Sequence, residues 1–282
     1  MKKRWRRWLI FLGVIGLIPA TLFIFDSNDL AVSEYEVVSD KLPLAFDGFK
    51  IVQISDFHNE AIEYANVNII ETVLAQDPDL IVLTGDFIDE YTKNLDRVTQ
   101  LIEGLNTFPI LFENGNHDIR AALYDDLLDL FVDKGVIDIS GQSYNHEFGG
   151  SSITFIGVEQ TEVDDRWGPW SMNIDPVLAP HITPLLNPTD EYRILLSHHP
   201  DFYTEASTLG IDLMLSGHYH GGHIRMFGWS PINWLDDKYG GGHFIIDDMD
   251  LIVSRGAGSG FFPIRINTDA EIVSITLSRS SD

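Results

Sequence analysis

Histidine occurs ten times in the 282 residues, and three of the ten fall within one nonapeptide, LSGHYHGGH (215–223). His218 and His220 stand two apart with glycine on either side. Glycine gives a buried imidazole nothing to pack against, but it lets a loop fold tightly around a ligand. Metal binding is one reading of such an imidazole pair, and on its own it is not the commoner one. Four other stretches carry related chemistry: Asp56-Phe57-His58, Gly85-Asp86, Gly115-Asn116-His117-Asp118 and Ser197-His198-His199-Pro200. In isolation the first three read as a capping aspartate beside a surface histidine, a Gly-Asp turn and an Asx turn. Together they read differently. Asp56 and His58 offer one cation a carboxylate and an imidazole, and Asp86 has two oxygens with which to bridge two cations. Asn116 adds a neutral oxygen that limits the negative charge around the ions. His117 is placed to face a substrate, with Asp118 to fix its tautomer and raise its basicity. His198 supplies one more nitrogen, while His199, next to the proline turn, reads as supporting or structural.

The elements that must carry these residues are legible as a recurring pattern. Short runs rich in Ile, Val and Leu end abruptly in polar residues: FKIVQISDFH (49–58), DLIVLTGDFID (79–89), FPILFENGNHD (108–118), RILLSHHPD (193–201) and IDLMLSGHYH (211–220). Runs so short and apolar are expected to be strands buried on both faces. Between the early ones, helical periodicity appears in Val67, Ile70, Val73 and Leu74, in Leu95, Val98, Leu101, Ile102 and Leu105, and over 120–133. Alternating strands and helices predict a layered α/β fold with parallel pairing. The runs at 149–159, 243–254 and 270–278 are expected as antiparallel additions. Asp56, Asp86, Asn116, His198 and His218 each lie just past an apolar run, where open α/β sheets bind ligands. Five segments would then feed one rim.

In this order, D-x-H, G-D, G-N-H-D, a lone ligand histidine and G-H-x-H, the chain resembles the calcineurin-like metallophosphoesterase superfamily over about residues 49–223. The stretch VSRGAGSGFFPIRI and the closing EIVSITL, within 251–277, are similar to its bacterial membrane-anchored branch. The resemblance implies a four-layer α/β/β/α sandwich of two mixed sheets and two divalent ions, of Mn, Fe, Co or Zn. It implies that Asp56, His58, Asp86 and His220 hold one ion and that Asp86, Asn116, His198 and His218 hold the other. It implies His117 as the substrate-facing histidine of a phosphoester hydrolase. The chain departs from the family in three places. Asn59 replaces a common small residue, which bears on substrate access, and Tyr219 replaces a frequent threonine. His223 replaces a frequent glutamine and reads as a surface histidine in preference to a contact near the leaving group.

Bulk properties bound the rest. The absence of cysteine excludes disulfides and thiolate metal sites. Five basic residues, Lys2, Lys3, Arg4, Arg6 and Arg7, precede an uncharged run from Trp8 to Phe25. At 1.5 Å per residue the run gives about 27 Å of helix, enough for a thin bilayer. An uncleaved anchor is favoured over a cleaved signal peptide, since no small-x-small site follows, and Arg6-Arg7 match a twin-arginine signal only weakly. Positive-inside logic puts the N-terminus in the cytoplasm and the remainder outside. The expected organisation is a basic segment and anchor over 1–25, a tether and entry segment over 26–47, and one domain over 48–282. Of 18 basic residues five lie in that first segment, leaving 13 against 43 acidic ones, a formal charge of −30. Such a surface excludes nucleic-acid binding through basic patches, and no protein partner is expected. An anchored enzyme reaches the outer leaflet, and the aromatic cluster MFGWSPINW (226–234) is either packing or an acyl-chain contact. The leading substrate is therefore a membrane phospholipid or lipid-linked phosphoester. Soluble nucleotides or other small phosphoesters are the alternative, and a non-catalytic surface module the third reading. The last is disfavoured because all seven ligand positions are present.

Overall fold

The computed structural model describes residues 30–59, 63–64, 67–160, 178–188, 192–225, 240–260 and 265–280. In chain order the elements are β1 (Leu30–Ser39), β2 (Lys50–Ile54), β3 (Glu63–Tyr64), β4 (Val67–Asn68), α1 (Ile69–Leu74), β5 (Leu80–Thr84), α2 (Asp96–Leu105), β6 (Ile110–Glu113), α3 (Tyr124–Lys134) and β7 (Ile137–Asp138). They continue with β8 (Ser143–Phe148), β9 (Ser151–Gly157), α4 (Ala179–Ile182), β10 (Arg193–Leu196), α5 (Tyr203–Thr208), β11 (Leu213–Ser216), β12 (Gly242–Ile246), β13 (Met249–Val253) and β14 (Ala270–Arg279). Two six-stranded sheets result, ordered β1-β14-β2-β5-β6-β7 and β12-β13-β11-β10-β9-β8. Both are mixed: β2, β5, β6 and β7 run parallel, as do β9, β10, β11 and β13, with antiparallel pairs at β14–β2, β8–β9 and β12–β13.

Strand alternation explains the layering. In β5, Leu80 and Val82 point into the apolar layer between the sheets, while Ile81 and Leu83 point to the helices outside. In β11, Leu213 and Leu215 enter the same central layer and Met214 packs on the other side. Both faces of these strands are therefore buried, and apolar side chains follow without a break. The first sheet is covered by α2, whose Val98, Leu101, Ile102 and Leu105 form one buried stripe, and by α3 through Leu127 and Phe131. In α3, Asp125 and Asp126 occupy the first turn and Lys134 the last, the arrangement the helix dipole favours, and Gly135 ends it at φ 77°. The second sheet is covered by the shorter α4 and α5, through Ile182 and Ala206. Three apolar layers thus separate four layers of structure.

Two expectations need correction. The stretch read as a tether contains β1, paired in parallel with β14 along all ten residues from Leu30↔Ala270 to Ser39↔Arg279. It is an edge strand of the first sheet, and its half-exposed pattern conceals it in the sequence. The runs at 149–159 and 243–254 are not simple antiparallel additions. β9 and β13 join β10 and β11 in parallel, and only their hairpin partners β8 and β12 run the other way. Among the described residues no helix is long and apolar enough to cross a membrane. The expected anchor over 1–25 and the aromatic cluster at 226–234 lie outside the described residues.

Candidate metal centre

The carboxyl ends of β2, β5 and β6 in one sheet meet those of β10 and β11 in the other. Buried Gln53 ties the two edges just beneath, donating from Nε2 to Thr84 Oγ1 at 2.8 Å and across the layers to Ser216 O at 2.9 Å. Beyond these ends the backbone turns sharply. Asp56, His58, Asp86, His218 and His220 all adopt left-handed φ, between 50° and 72°. Such conformations cost non-glycine residues energy and concentrate where side chains must converge. Glycine is required where the backbone comes closest. A Cβ on Gly217 would collide with Ser55 Oγ and the Asp56 carboxylate, and one on Gly85 would lie 2.5 Å from His198 Nδ1.

The converging side chains form two groups. Asp56, His58 and His220 make the first, and Asp86, His198 and His218 the second. In the first, His220 Nε2 lies 3.3 Å from both Asp56 Oδ1 and His58 Nε2. In the second, His198 Nε2 lies 3.0 Å from Asp86 Oδ2 and 3.3 Å from His218 Nδ1. Asp86 Oδ2 is also 3.9 Å from His58 Nε2, between the groups. Asn116 follows β6, buried, and its Oδ1 has no hydrogen-bond partner among the described residues. A buried acceptor left in this state implies a ligand that completes it. The donor set fits divalent ions: oxygens and imidazole nitrogens, lone pairs converging at the spacing of atoms that share one cation.

Electrostatics agree with that fit. Burial lowers His58 to about 4 and holds His218 and His220 well below the usual imidazole range, so their lone pairs are available. Burial also disfavours the His198 cation, but Asp86, Asp56 and Glu113 outweigh it and push His198 up to about 10. Asp86 is correspondingly held well below the carboxylate range: burial opposes its anion and His198 overrides it. Burial, with Asp86 adding to it, raises Asp56 to about 6. A divalent ion would displace the proton held between Asp86 and His198, so loading is linked to proton release.

The histidine at the rim behaves otherwise than expected. Asp118 does not hold His117. It is fully buried and accepts backbone N–H groups of Asp86 (2.7 Å), Phe87 (2.8 Å), Ile88 (2.9 Å) and Gly115 (2.9 Å), pinning the Asp86 loop. Burial and the nearby Asp86 raise it to about 7, against those donors. His117 instead places ring Nδ1 2.8 Å from Glu90 Oε2, and its backbone N–H donates to Asp86 Oδ1 at 2.8 Å. Burial disfavours the His117 cation, but Asp86 and Glu90 more than compensate and its pKa is raised. Glu90 was not singled out in the sequence, although it lies four residues beyond Asp86. Arg265 was also missed. It is buried and donates to the carbonyls of His220, Arg255 and Gly256, knitting the His220 loop to the β13 end. His199 packs its ring on His218, with 3.8 Å between centroids, the supporting position expected for it. His223 is not a surface histidine. Its ring stacks on His220, 4.7 Å away and 21° from coplanar, and burial with Arg265 lowers it to about 4. Tyr219 donates to Asp201 Oδ1 at 2.7 Å and anchors the loop.

Paired carboxylate and imidazole groups at the facing strand ends of a two-sheet α/β sandwich define a metal-dependent hydrolase. The calcineurin-like phosphoesterase model matches residues 49–222, and the chain belongs to that family. It is thereby a metal-dependent phosphoesterase. An uncharacterized metallophosphoesterase of Aquifex aeolicus is 29% identical over 255 residues, 88% of this chain and 92% of that one. A zebrafish (Danio rerio) transmembrane protein with metallophosphoesterase domain is 25% identical, over 95% of this chain and 61% of its own length. Among solved structures, a dimetal phosphatase from Danio rerio superposes with a TM-score of 0.45 at 14% identity, covering 74% of this chain and 88% of that chain.

Proposed function

We propose that the chain uses two divalent ions, of Mn, Fe, Co or Zn, to hydrolyse a phospholipid or lipid-linked phosphoester at the outer face of the cell membrane. The observation that carries the two-ion reading is the pair of three-residue groups with the unpartnered Asn116 oxygen beside them. Asp56, His58, Asp86 and His220 would hold one ion, and Asp86, Asn116, His198 and His218 the other. When bound, such ions polarise phosphoryl oxygens and generate hydroxide from water near neutral pH. His117 protonates the departing alkoxide; burial opposes its cation, but Asp86 and Glu90 outweigh it and favour the protonated ring. Glu90 fixes the Nδ1 side of that ring and leaves Nε2 to face the substrate. Asp118 holds the Asp86 loop in place.

The membrane assignment is supported by the five basic residues ahead of an uncharged eighteen-residue run, and by a relative that is named a transmembrane protein. The full chain in detergent is expected to hydrolyse bis-p-nitrophenyl phosphate with Mn²⁺ and to lose that activity on chelation. It is expected to favour phospholipid vesicles over a nucleotide panel. Turnover that survives chelation would overturn the metal reading, and a preference for nucleotides would move the substrate to the soluble class.

A further inference from the structure

A cavity of about 350 Å³ adjoins the metal centre, between the loop after β2 and the segment joining β5 to α2. His58 is the one proposed ligand that lines it; Asn59, Tyr91, Lys93, Asn94 and Arg97 are further lining residues. Two cations here need explaining in a chain with 43 acidic and 18 basic residues. Among the described residues neither Lys93 nor Arg97 makes an ion pair, and Arg97 only donates from Nη1 to the Asn59 carbonyl at 3.0 Å. Asp89 also lines the cavity; its Oδ1 accepts the Tyr91 N–H and the Thr92 hydroxyl and its Oδ2 lies 3.9 Å from His58 Nδ1, which leaves one positive charge in excess among the lining side chains Lys93, Arg97 and Asp89. Two hydrogen bonds brace one exposed wall. Asn59 donates from Nδ2 to the Asn94 carbonyl at 3.2 Å, and Asn94 Oδ1 accepts the Asp96 N–H at 3.2 Å.

A reacting phosphoryl group belongs between the two ligand groups. This cavity touches only the edge of one of them, so it takes a neighbouring part of the same molecule. Arg97 offers a fork suited to phosphate or carboxylate, Lys93 a point charge and Asn94 an amide. We propose that the cavity receives a second anionic group of the substrate, a few bonds from the scissile phosphoryl. This rests on the phosphoesterase reading and narrows it to phosphoesters carrying at least two anionic groups. It also gives a role to Asn59, which departs from the family pattern at this wall.

The test is competition against bis-p-nitrophenyl phosphate hydrolysis by the Mn²⁺-loaded full chain, with n-propyl phosphate and propane-1,3-diyl bisphosphate as inhibitors. The bisphosphate is expected to inhibit at least tenfold more tightly, with the advantage shrinking at high salt. In Lys93→Gln/Arg97→Gln the two inhibitors should become equal within about twofold. Equal inhibition of the wild type, or an advantage that persists in the double variant, would overturn the proposal. If the wild type hydrolyses no phosphoester, the parent reading fails, and calorimetric binding of the same two compounds still decides the cavity. Phosphatidylinositol 4-phosphate in phosphatidylcholine vesicles, set against its deacylated headgroup, distinguishes a lipid source of the second anion from a soluble one.

Discussion

His117 and Asp86 sit a few ångströms apart and are expected to fail differently. His117 lies outside both ligand groups, so His117→Ala should lower kcat by about 10²–10⁴ while metal content, measured by elemental analysis, stays at the wild-type level. Asp86 faces both groups, so Asp86→Ala should lose metal together with activity. Asp118 belongs to neither class. Asp118→Asn leaves an amide facing four backbone N–H donors, and a thermal melt should show a loss of about 1–3 kcal/mol for each donor left unpaired, with weaker metal retention. The convergence of Asp56, His58, Asp86, His198, His218 and His220 was legible because four of them are histidines, of which the chain has ten, and each lies just past an apolar run. The His117 partner was not. Asp118 is adjacent in sequence, but the fold turns it inward to amides of another loop, and Glu90 arrives from the β5 end.

At the scale of elements, the facing strand ends act as a rim whose loops have no slack. Gly217→Ala would drive a methyl group into Ser55 and Asp56. The expected cost is about 1–3 kcal/mol in denaturant unfolding, with a larger loss in Mn²⁺ affinity than in helix content. The apolar runs identified the strands at 50–54, 80–84, 110–113, 193–196 and 213–216, since strands buried on both faces advertise themselves. Pairing direction was less visible. The turns after β8 and β12 signal hairpins, but nothing local shows that β9 and β13 also lie parallel to β10 and β11. β1 escaped notice because an edge strand buries only part of its surface.

For the whole molecule, acid stability offers a check away from the metals. His146 on β8 packs against Phe46, Phe49 and Phe155 in the layer between the sheets, and its Nδ1 has no partner among the described residues. Burial lowers its pKa from 6.5, so the unfolded chain takes up the proton first and stability falls as pH drops through that value. His146→Phe should therefore show a smaller fall in Tm between pH 8 and pH 5 than the wild type, measured by calorimetry at matched ionic strength. The strand order carries a different consequence. β14 lies between β1 and β2, so β1 reaches its sheet only through a strand whose paired residues lie 240 positions later in sequence. That register cannot close until residues 270–279 have been delivered. Nascent chains must wait with an open seam, and any truncation that removes β14 orphans β1.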